Sequence, residues 1–306
     1  MRIFLTGGTG FIGHYVAQKL LNDGHELTIL ARNPQKIPSL AQNAAVKMIP
    51  GTIHDAGVIE KNLAGCEACI HLALGWGETP VSMLENDTRV TVFLLEQAAK
   101  AGCGKFIYTS STAAMGKMRP VMAETTSNAP IDLYGATKAA GEAFVLGFKK
   151  GYGTHFPQVE MNRNIIRPGY TFGNPAWPDG VSQPDRRFLD MAKAVKENRD
   201  IRIIKNDGTQ FIHASQQAEI YAKLLHSDCN EEVFLGLSEN WIGWKEIAEK
   251  MIALTPGTRS KIIEEDLGWA DQPILFSVNK INDHFGLRFN SYEFLDGHVL
   301  WCLSKV

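Results

Sequence analysis

Tyr134 and Lys138 stand four residues apart in the stretch Tyr134-Gly135-Ala136-Thr137-Lys138. On a helix that spacing brings both side chains to one face. An ammonium beside a phenol favours the phenolate, so the tyrosine pKa is expected to fall toward the working pH. A tyrosine tuned in this way can exchange a proton with an alcohol or carbonyl oxygen. Alone, the pattern also describes a surface tyrosine near a solvated lysine, and its weight depends on what accompanies it. A second stretch, Thr6-Gly7-Gly8-Thr9-Gly10-Phe11-Ile12-Gly13, lies between the apolar run Arg2-Ile3-Phe4-Leu5 and the residues Val16, Leu20 and Leu21, which recur at helical spacing. Its glycines therefore sit where a strand turns into a helix. Such a turn suits a dinucleotide: Gly7 permits the bend, Gly10 lets the backbone approach a pyrophosphate, and Gly13 lets helix and strand pack closely. The helix start, at Phe11 and Ile12, offers free N–H groups and a partial positive charge to phosphates.

These groups need a scaffold, and the hydrophobic pattern supplies one. Short apolar runs at 2–5, 26–30, 46–49, 69–72, 105–109 and 164–167 read as strands. Helical patterns fall between them, the clearest at 83–101, and a further helix begins near Leu133. Strands alternating with helices predict an α/β fold, a Rossmann-type doubly wound parallel sheet covered on both faces. After Pro168 the pattern changes: Gly169, Gly173, Pro175, Trp177, Pro178, Gly180 and Pro184 make a loop-rich passage. Helices are expected at 186–197, 216–226, 244–254, 278–285 and 292–303, and strands at 201–204 and 233–237. The expected organisation is a dinucleotide-binding domain over 1–168, with 208–237 returning to the sheet region. A smaller C-terminal α/β substrate lobe takes 169–207 and 238–306.

Composition narrows the function. Hydrophobic residues at 44% and charged residues at 21% describe an ordinary globular chain of 306 residues. A net charge of −2 gives no electrostatic footprint for nucleic acid or an anionic membrane. No apolar run reaches bilayer-spanning length, and the N-terminus has no signal-peptide layout, so a cytoplasmic location is expected. Five cysteines, an odd count, argue for reduced thiols. Cys66 and Cys69 form a C-x-x-C spacing, but Cys69 falls inside a strand, and no second ligand pair accompanies it. The nine histidines show no metal-ligand spacing, and no metal is expected.

The glycine turn, a strand ending in Thr109-Ser110-Ser111-Thr112, and Tyr-x-x-x-Lys occur in that order. Together they resemble the short-chain dehydrogenase/reductase superfamily. The form of the glycine turn, with His71-Leu72-Ala73 and Arg167-Pro168-Gly169 after two later strands, resembles its extended branch, the NAD(P)-dependent epimerase/dehydratase family. The resemblance spans nearly the whole chain. It implies hydride transfer at a carbinol or carbonyl carbon of a sugar-like small-molecule substrate. Ser111 would orient the substrate oxygen, Tyr134 would be the acid/base, and Lys138 would bind the nicotinamide ribose. Thr109, Leu72 and Ala73 would line the cofactor cleft; Pro168 and Gly169 would border the nicotinamide. It also implies a homodimer through the helices at 83–101 and 133–149.

Departures from the family pattern qualify the substrate. Where members often carry Gly-Asp, this chain has Gly51-Thr52; Thr52 and Ile53 would still wall the adenine, and Asp55 reads as a helix cap before Ala56. Asp87 stands where the family has Asn, with Asn86 beside it. The segment 208–213 resembles a stretch that normally carries a diphosphate-binding Arg, which is missing here, and near Trp269 the later phosphate-binding Arg has no counterpart. Arg186 and Arg187 read as a solvated helix face. No carboxylate follows Ser111 in Thr112-Ala113-Ala114-Met115, which speaks against dehydratase chemistry. Trp76 and Trp177 fall in loops on the ligand side, as pocket walls or as lobe packing. Alternatives to the sugar-like substrate are an NADPH-dependent carbonyl reductase on a small non-sugar substrate and a cofactor-binding regulator without turnover. At the end of the second strand, Leu30-Ala31 is followed by Arg32, with no carboxylate to hold the ribose hydroxyls. Arg32 favours a 2′-phosphate, hence NADP(H) over NAD(H).

Overall fold

Side chains along the strands alternate between two faces, and that alternation builds two cores around one sheet. The computed structural model describes residues 1–148, 160–178, 180–269 and 271–306. Within them the order begins β1 (Arg2–Thr6), α1 (Phe11–Asn22), β2 (Glu26–Ala31), α2 (Pro38–Ala41), β3 (Val46–Pro50), α3 (Ala56–Leu63) and β4 (Ala68–His71). It continues with α4 (Pro80–Met83), a π turn (Leu84–Thr88), α5 (Arg89–Lys100), β5 (Lys105–Thr109), α6 (Leu133–Gly147) and β6 (Asn162–Pro168). Then come β7 (Thr171–Phe172), α7 (Arg187–Lys196), β8 (Ile201–Ile204), β9 (Gly208–Thr209), β10 (Ile212–His213), α8 (Ala214–His226) and β11 (Glu232–Gly236). The chain closes with β12 (Ile242–Gly243), α9 (Trp244–Ala253), β13 (Ile262–Glu265), α10 (Asn279–Phe285) and α11 (Tyr292–Ser304).

Seven strands form one parallel sheet in the order β11-β6-β5-β4-β1-β2-β3. This is the Rossmann-type sheet that the alternating pattern predicts. Ile3 and Leu5 of β1, Ile70 of β4 and Ile107 of β5 face a core closed by Val16, Ala17 and Leu20 of α1 and by Ala218, Tyr221 and Leu225 of α8. Phe4, Cys69 and Phe106, the neighbours one residue away, face a second core closed by Ile59 of α3, Leu94 and Ala98 of α5 and Val145 of α6. Both faces are buried, so the strands read as continuous apolar runs. The strand order reverses between β1 and β4, where a crevice forms outside the strands' carboxyl ends.

A third core holds the C-terminal lobe: Phe172, Phe188, Phe211, Trp244, Leu295 and Val299, with α7, α9 and α11 packed around them. Its strands are short pairs, β7 with β10, β9 with β12, and β8 with β13. The helix expected at 83–101 is not one α-helix. A π turn interrupts it, closed by the Arg89 N–H donating to Leu84 O, five residues back. The helix expected at 133–149 ends at Gly147, and Lys149 lies outside the described residues. Among the described residues, no helix is long and apolar enough to cross a membrane, and no cluster of three or more His, Cys, Asp or Glu could hold a metal ion. Cys66, Cys69 and Cys103 are buried thiols, and burial pushes the Cys103 pKa up to about 12.

Candidate active site

At the end of β1 the chain turns with Gly7 at φ +74°, where a side chain is strained. A Cβ on Gly7 would lie 2.6 Å from Ala73 N, so this turn is pressed against the segment after β4. A Cβ on Gly13 would meet Gly7 O at 2.0 Å, which is why α1 can start directly over the turn. Gly10 occupies the N-cap of α1, with no side chain capping the first-turn N–H groups around Phe11 and Ile12. Those donors and the helix dipole face the crevice, as a dinucleotide pyrophosphate requires.

A buried polar chain ties this turn to the segment after β4 and to the π turn. The Ala73 N–H reaches Thr6 Oγ1 at 3.3 Å, and Thr6 Oγ1 lies 2.6 Å from His71 Nδ1. His71 Nε2 lies 3.0 Å from Thr91 Oγ1, whose hydroxyl donates to Asp87 O at 2.9 Å. Thr91 has only one proton and gives it to Asp87, so His71 donates from Nε2 and accepts at Nδ1. Burial, reinforced by the charge of Lys138, lowers the His71 pKa to about 3 and keeps the ring neutral. The Thr91 bond to Asp87 O, four residues back, is the ordinary back-bonding of a helical threonine.

Helix α6 starts at Asp132, whose Oδ1 accepts from Gly135 N at 2.6 Å. Tyr134 sits in the first turn and Lys138 one turn on. Lys138 is buried, with Nζ 3.3 Å from Asp87 Oδ2 and 3.4 Å from Oδ1. Burial lowers its pKa, and Asp87 pulls it back up. Ser111 caps the 3₁₀ turn Thr112–Met115, accepting from Ala113 N at 3.1 Å, and its hydroxyl lies near enough to Tyr134 to pull that pKa down. Ser111, Tyr134 and Lys138 therefore come together at the carboxyl ends of β4 and β5.

The expected drop in the Tyr134 pKa is not what the structure shows. Burial raises it, with Asp87 and Asp132 adding to the rise and Ser111 opposing it. The Lys138 ammonium lies 5.9 Å from the Tyr134 ring centroid and is paired with Asp87 instead. A phenol with a raised pKa holds its proton at neutral pH and is equipped to donate it.

The remaining sequence candidates take their places around the same strand ends. Thr109 Oγ1 is 2.8 Å from the Tyr221 hydroxyl, and Leu72 N donates to Thr6 O at 3.2 Å. Pro168 ends β6, and Gly169 N donates to Gly236 O at 3.0 Å in β11. Arg32 follows β2, is exposed, and forms no ion pair among the described residues. Thr52 and Ile53 follow β3. Asp55 does not cap α3 as expected: its carboxylate turns back to accept from the Thr52 N–H and the Thr52 hydroxyl, and these bonds lower its pKa. Trp177 packs under the Lys36 ammonium, 3.5 Å from the ring centroid, and so borders the segment after β2. Trp76 lies beside Tyr134, with ring centroids 6.4 Å apart. Arg186 and Arg187 lie exposed at the start of α7, as expected of a solvated face, and Arg187 also pairs with Asp185 and Asp207 and stacks over Trp244 at 4.1 Å.

One support escaped the sequence reading. Glu142, one turn beyond Lys138, accepts from Arg167 Nε and Nη2 at 2.7 Å each, from Ser110 Oγ at 2.5 Å and from Asn128 Nδ2 at 2.6 Å. This fork locks α6 to the ends of β5 and β6. The Arg167-Pro168-Gly169 motif was visible, but its partner four residues after Lys138 was not singled out. A cavity of about 550 Å³ lined by Arg2, Glu26, Lys47, Lys61, Asn62 and Cys66 opens at the amino ends of β1–β3, opposite the end that carries Tyr134.

Residues 3–236 match the model of the NAD dependent epimerase/dehydratase family. GDP-mannose 3,5-epimerase 1 of Oryza sativa subsp. japonica is 26% identical over 330 residues, 95% of this chain and 81% of that protein. Against three other curated relatives the match spans only 40%, 35% and 41% of their length. The structure of UDP-glucuronic acid 4-epimerase from Bacillus cereus in complex with NAD superposes with a TM-score of 0.79 at 20% identity, over 99% of both chains. That of dTDP-glucose 4,6-dehydratase from Streptomyces venezuelae superposes with a TM-score of 0.78 at 19% identity, over 98% of this chain and 96% of the other. At such identities the likeness is one of fold.

Proposed function

The chain belongs to the NAD dependent epimerase/dehydratase family, and from that premise we propose that it is an oxidoreductase acting at a carbinol or carbonyl carbon, with Tyr134 moving the proton. A dinucleotide bound at the Gly7 turn would supply or accept the hydride. Everything else falls to this chain's own side chains. Ser111 holds the substrate oxygen, Tyr134 delivers a proton to it or removes one, and Lys138 sits where a ribose hydroxyl would approach. The observation that supports this reading is the clustering of Ser111, Tyr134 and Lys138, with Lys138 paired to the Asp87 carboxylate that also accepts from Gly75 N.

The turn after β1 fits a dinucleotide by its positive φ, its contact with Ala73 and its uncapped helix start. Arg32, exposed at the end of β2 and without an ion pair among the described residues, favours the 2′-phosphate of NADP(H). Charge-assisted hydrogen bonds contribute about 1.5–3 kcal/mol, so Arg32→Ala should weaken NADPH binding about tenfold or more and leave NADH binding unchanged. Equal affinities for the two cofactors in the unmodified protein would refute the preference.

A small carbonyl compound is favoured over a nucleotide sugar by one observation. Segment 208–213, where a diphosphate-binding arginine is expected, carries none, and Arg187, which reaches Asp207, is shared between that residue and Asp185. Substitution decides the assignment of the proton donor. Tyr134→Phe should lower turnover about 10²–10⁴-fold with cofactor affinity nearly unchanged. Turnover near that of the unmodified protein would remove Tyr134 from its role.

A further inference from the structure

The segment between β4 and α4 holds two large apolar side chains in the open, Leu74 and Trp76, and the backbone around Trp76 is fastened in place. Trp76 is 64% exposed, yet it stands 6.4 Å from Tyr134, ring centroid to ring centroid, with the planes inclined by 35°. Its backbone is fastened to the π turn at successive points. Gly75 N donates to Asp87 Oδ1 at 3.3 Å, Asn86 Nδ2 donates to Trp76 O at 2.7 Å, and Gly77 N approaches Met83 Sδ at 3.1 Å. Thr79 and Ser82 close the far end with reciprocal capping bonds. The contact at Gly75 is so close that a Cβ there would lie 1.7 Å from Asn86 O. A loop with free choice of conformation would fold an indole of this size away from water. This one is held so that the ring stays exposed beside the proton donor.

Deepening the reading above, and resting on it, we propose that Trp76 is the specificity platform of this site. The substrate it selects is an aldehyde or ketone, or the corresponding alcohol, with a flat aryl group next to the reacting carbon. The aryl face lies on the indole while the oxygen reaches the Tyr134 and Ser111 hydroxyls. Aromatic pairs in offset or tilted contact gain free energy beyond their buried area, and a preheld tryptophan loses little entropy in making one. In the reducing direction the carbonyl carbon gains a hydride from NADPH, the C=O π bond breaks, and the oxygen takes the Tyr134 proton. The products are the alcohol and NADP⁺, and solvent returns a proton to Tyr134.

The test uses the full-length protein with naphthaldehyde, cyclohexanecarbaldehyde and UDP-glucose as probes. NADPH consumption reports turnover, and calorimetry reports binding of naphthalenemethanol to the NADP⁺-loaded protein. Naphthaldehyde should be preferred over cyclohexanecarbaldehyde. Trp76→Ala should raise its KM about tenfold, Trp76→Phe should restore most of the loss, and the KM of cyclohexanecarbaldehyde should rise by a clearly smaller factor. Tyr134→Phe should lower turnover about 10²–10⁴-fold but keep naphthalenemethanol binding, which separates failure of this proposal from failure of the proton-donor reading. The proposal is overturned if naphthalenemethanol does not bind, if it binds Trp76→Ala as well as the unmodified protein, or if UDP-glucose binds more tightly. It is equally overturned if Trp76→Ala splits a dimer while the naphthaldehyde KM is unchanged, since the indole would then be a subunit contact.

Discussion

Helix α6 carries two buried ion pairs one turn apart, Glu142 with Arg167 and Lys138 with Asp87, and they are built on different plans. At Glu142 both carboxylate oxygens accept two bonds each, from Arg167, Ser110 and Asn128, at 2.5–2.7 Å. At Lys138 the carboxylate stands back at 3.3–3.4 Å, and Asp87 Oδ2 has charge proximity without a hydrogen bond. The first pair joins a carboxylate to a guanidinium that never loses its proton in a protein. The second joins one to an amine whose pKa burial has already lowered. A saturated fork fixes the helix against the sheet, and a loosely held ammonium keeps donors in reserve beside Tyr134. The same helix thus serves as a strut at one turn and as a chemical surface at the next.

Breaking the fork should have the largest effect. Glu142→Gln leaves Arg167 buried without a counter-charge, which typically costs about 3–5 kcal/mol. Urea unfolding measures it, and a loss under about 1 kcal/mol would show that the two pairs are alike after all. Asp87→Asn should cost less, about 1–3 kcal/mol near neutral pH, because Lys138 can shed its proton. The pH dependence carries the distinction. The folded Lys138 pKa is lowered, so the unfolded chain binds more protons below 10.5, and stability rises with pH through that window. Losing Asp87 lowers the folded pKa further, and the deficit of Asp87→Asn should shrink as pH rises toward 10, whereas that of Glu142→Gln should not. Parallel deficits across pH would contradict the contrast.

The smallest effect sharpens it from the acid side. Burial lowers His71 and His298 to about 3 and His213 to about 4, so each refuses a proton that the unfolded chain accepts near 6.5. Their stabilisation is complete above 6.5 and is lost as pH falls toward 4. Each should remove about 1 kcal/mol between pH 7 and 5.5. Thermal unfolding midpoints that stay level across that interval would mean the rings are protonated in the folded state.

Much of this was legible before any coordinates. Glycines between an apolar strand and a helical pattern have few other uses, and alternating runs impose a parallel sheet; β1 to β6 and the Gly7 turn lie where the pattern puts them. What stayed hidden depends on tertiary neighbours. The Tyr134 pKa follows from burial and from Asp87 capturing Lys138, and neither is local in sequence. Asp55 had the spacing of a cap but found two closer donors on Thr52. Trp177 lies far along the chain from Lys36, and only the fold brings the ring under that ammonium. The two-residue strands of the lobe are too short to leave a period of two.

The π turn at Leu84–Thr88 amounts to one residue more than an α-helix would use to cover the same distance. Each α-helical residue advances about 100° around the axis, so the extra residue puts α4 and α5 out of phase. Asp87 meets Lys138, and Asn86 meets Trp76 O, because of that offset. The reading frame of the helix, in the rotational sense, is therefore a variable of the site. Deleting Glu85 would keep Trp76, Asn86 and Asp87 in the chain and return α4 and α5 to a common phase. The Trp76 loop and the Asp87 carboxylate would rotate away from α6 together, as the hands of one clock.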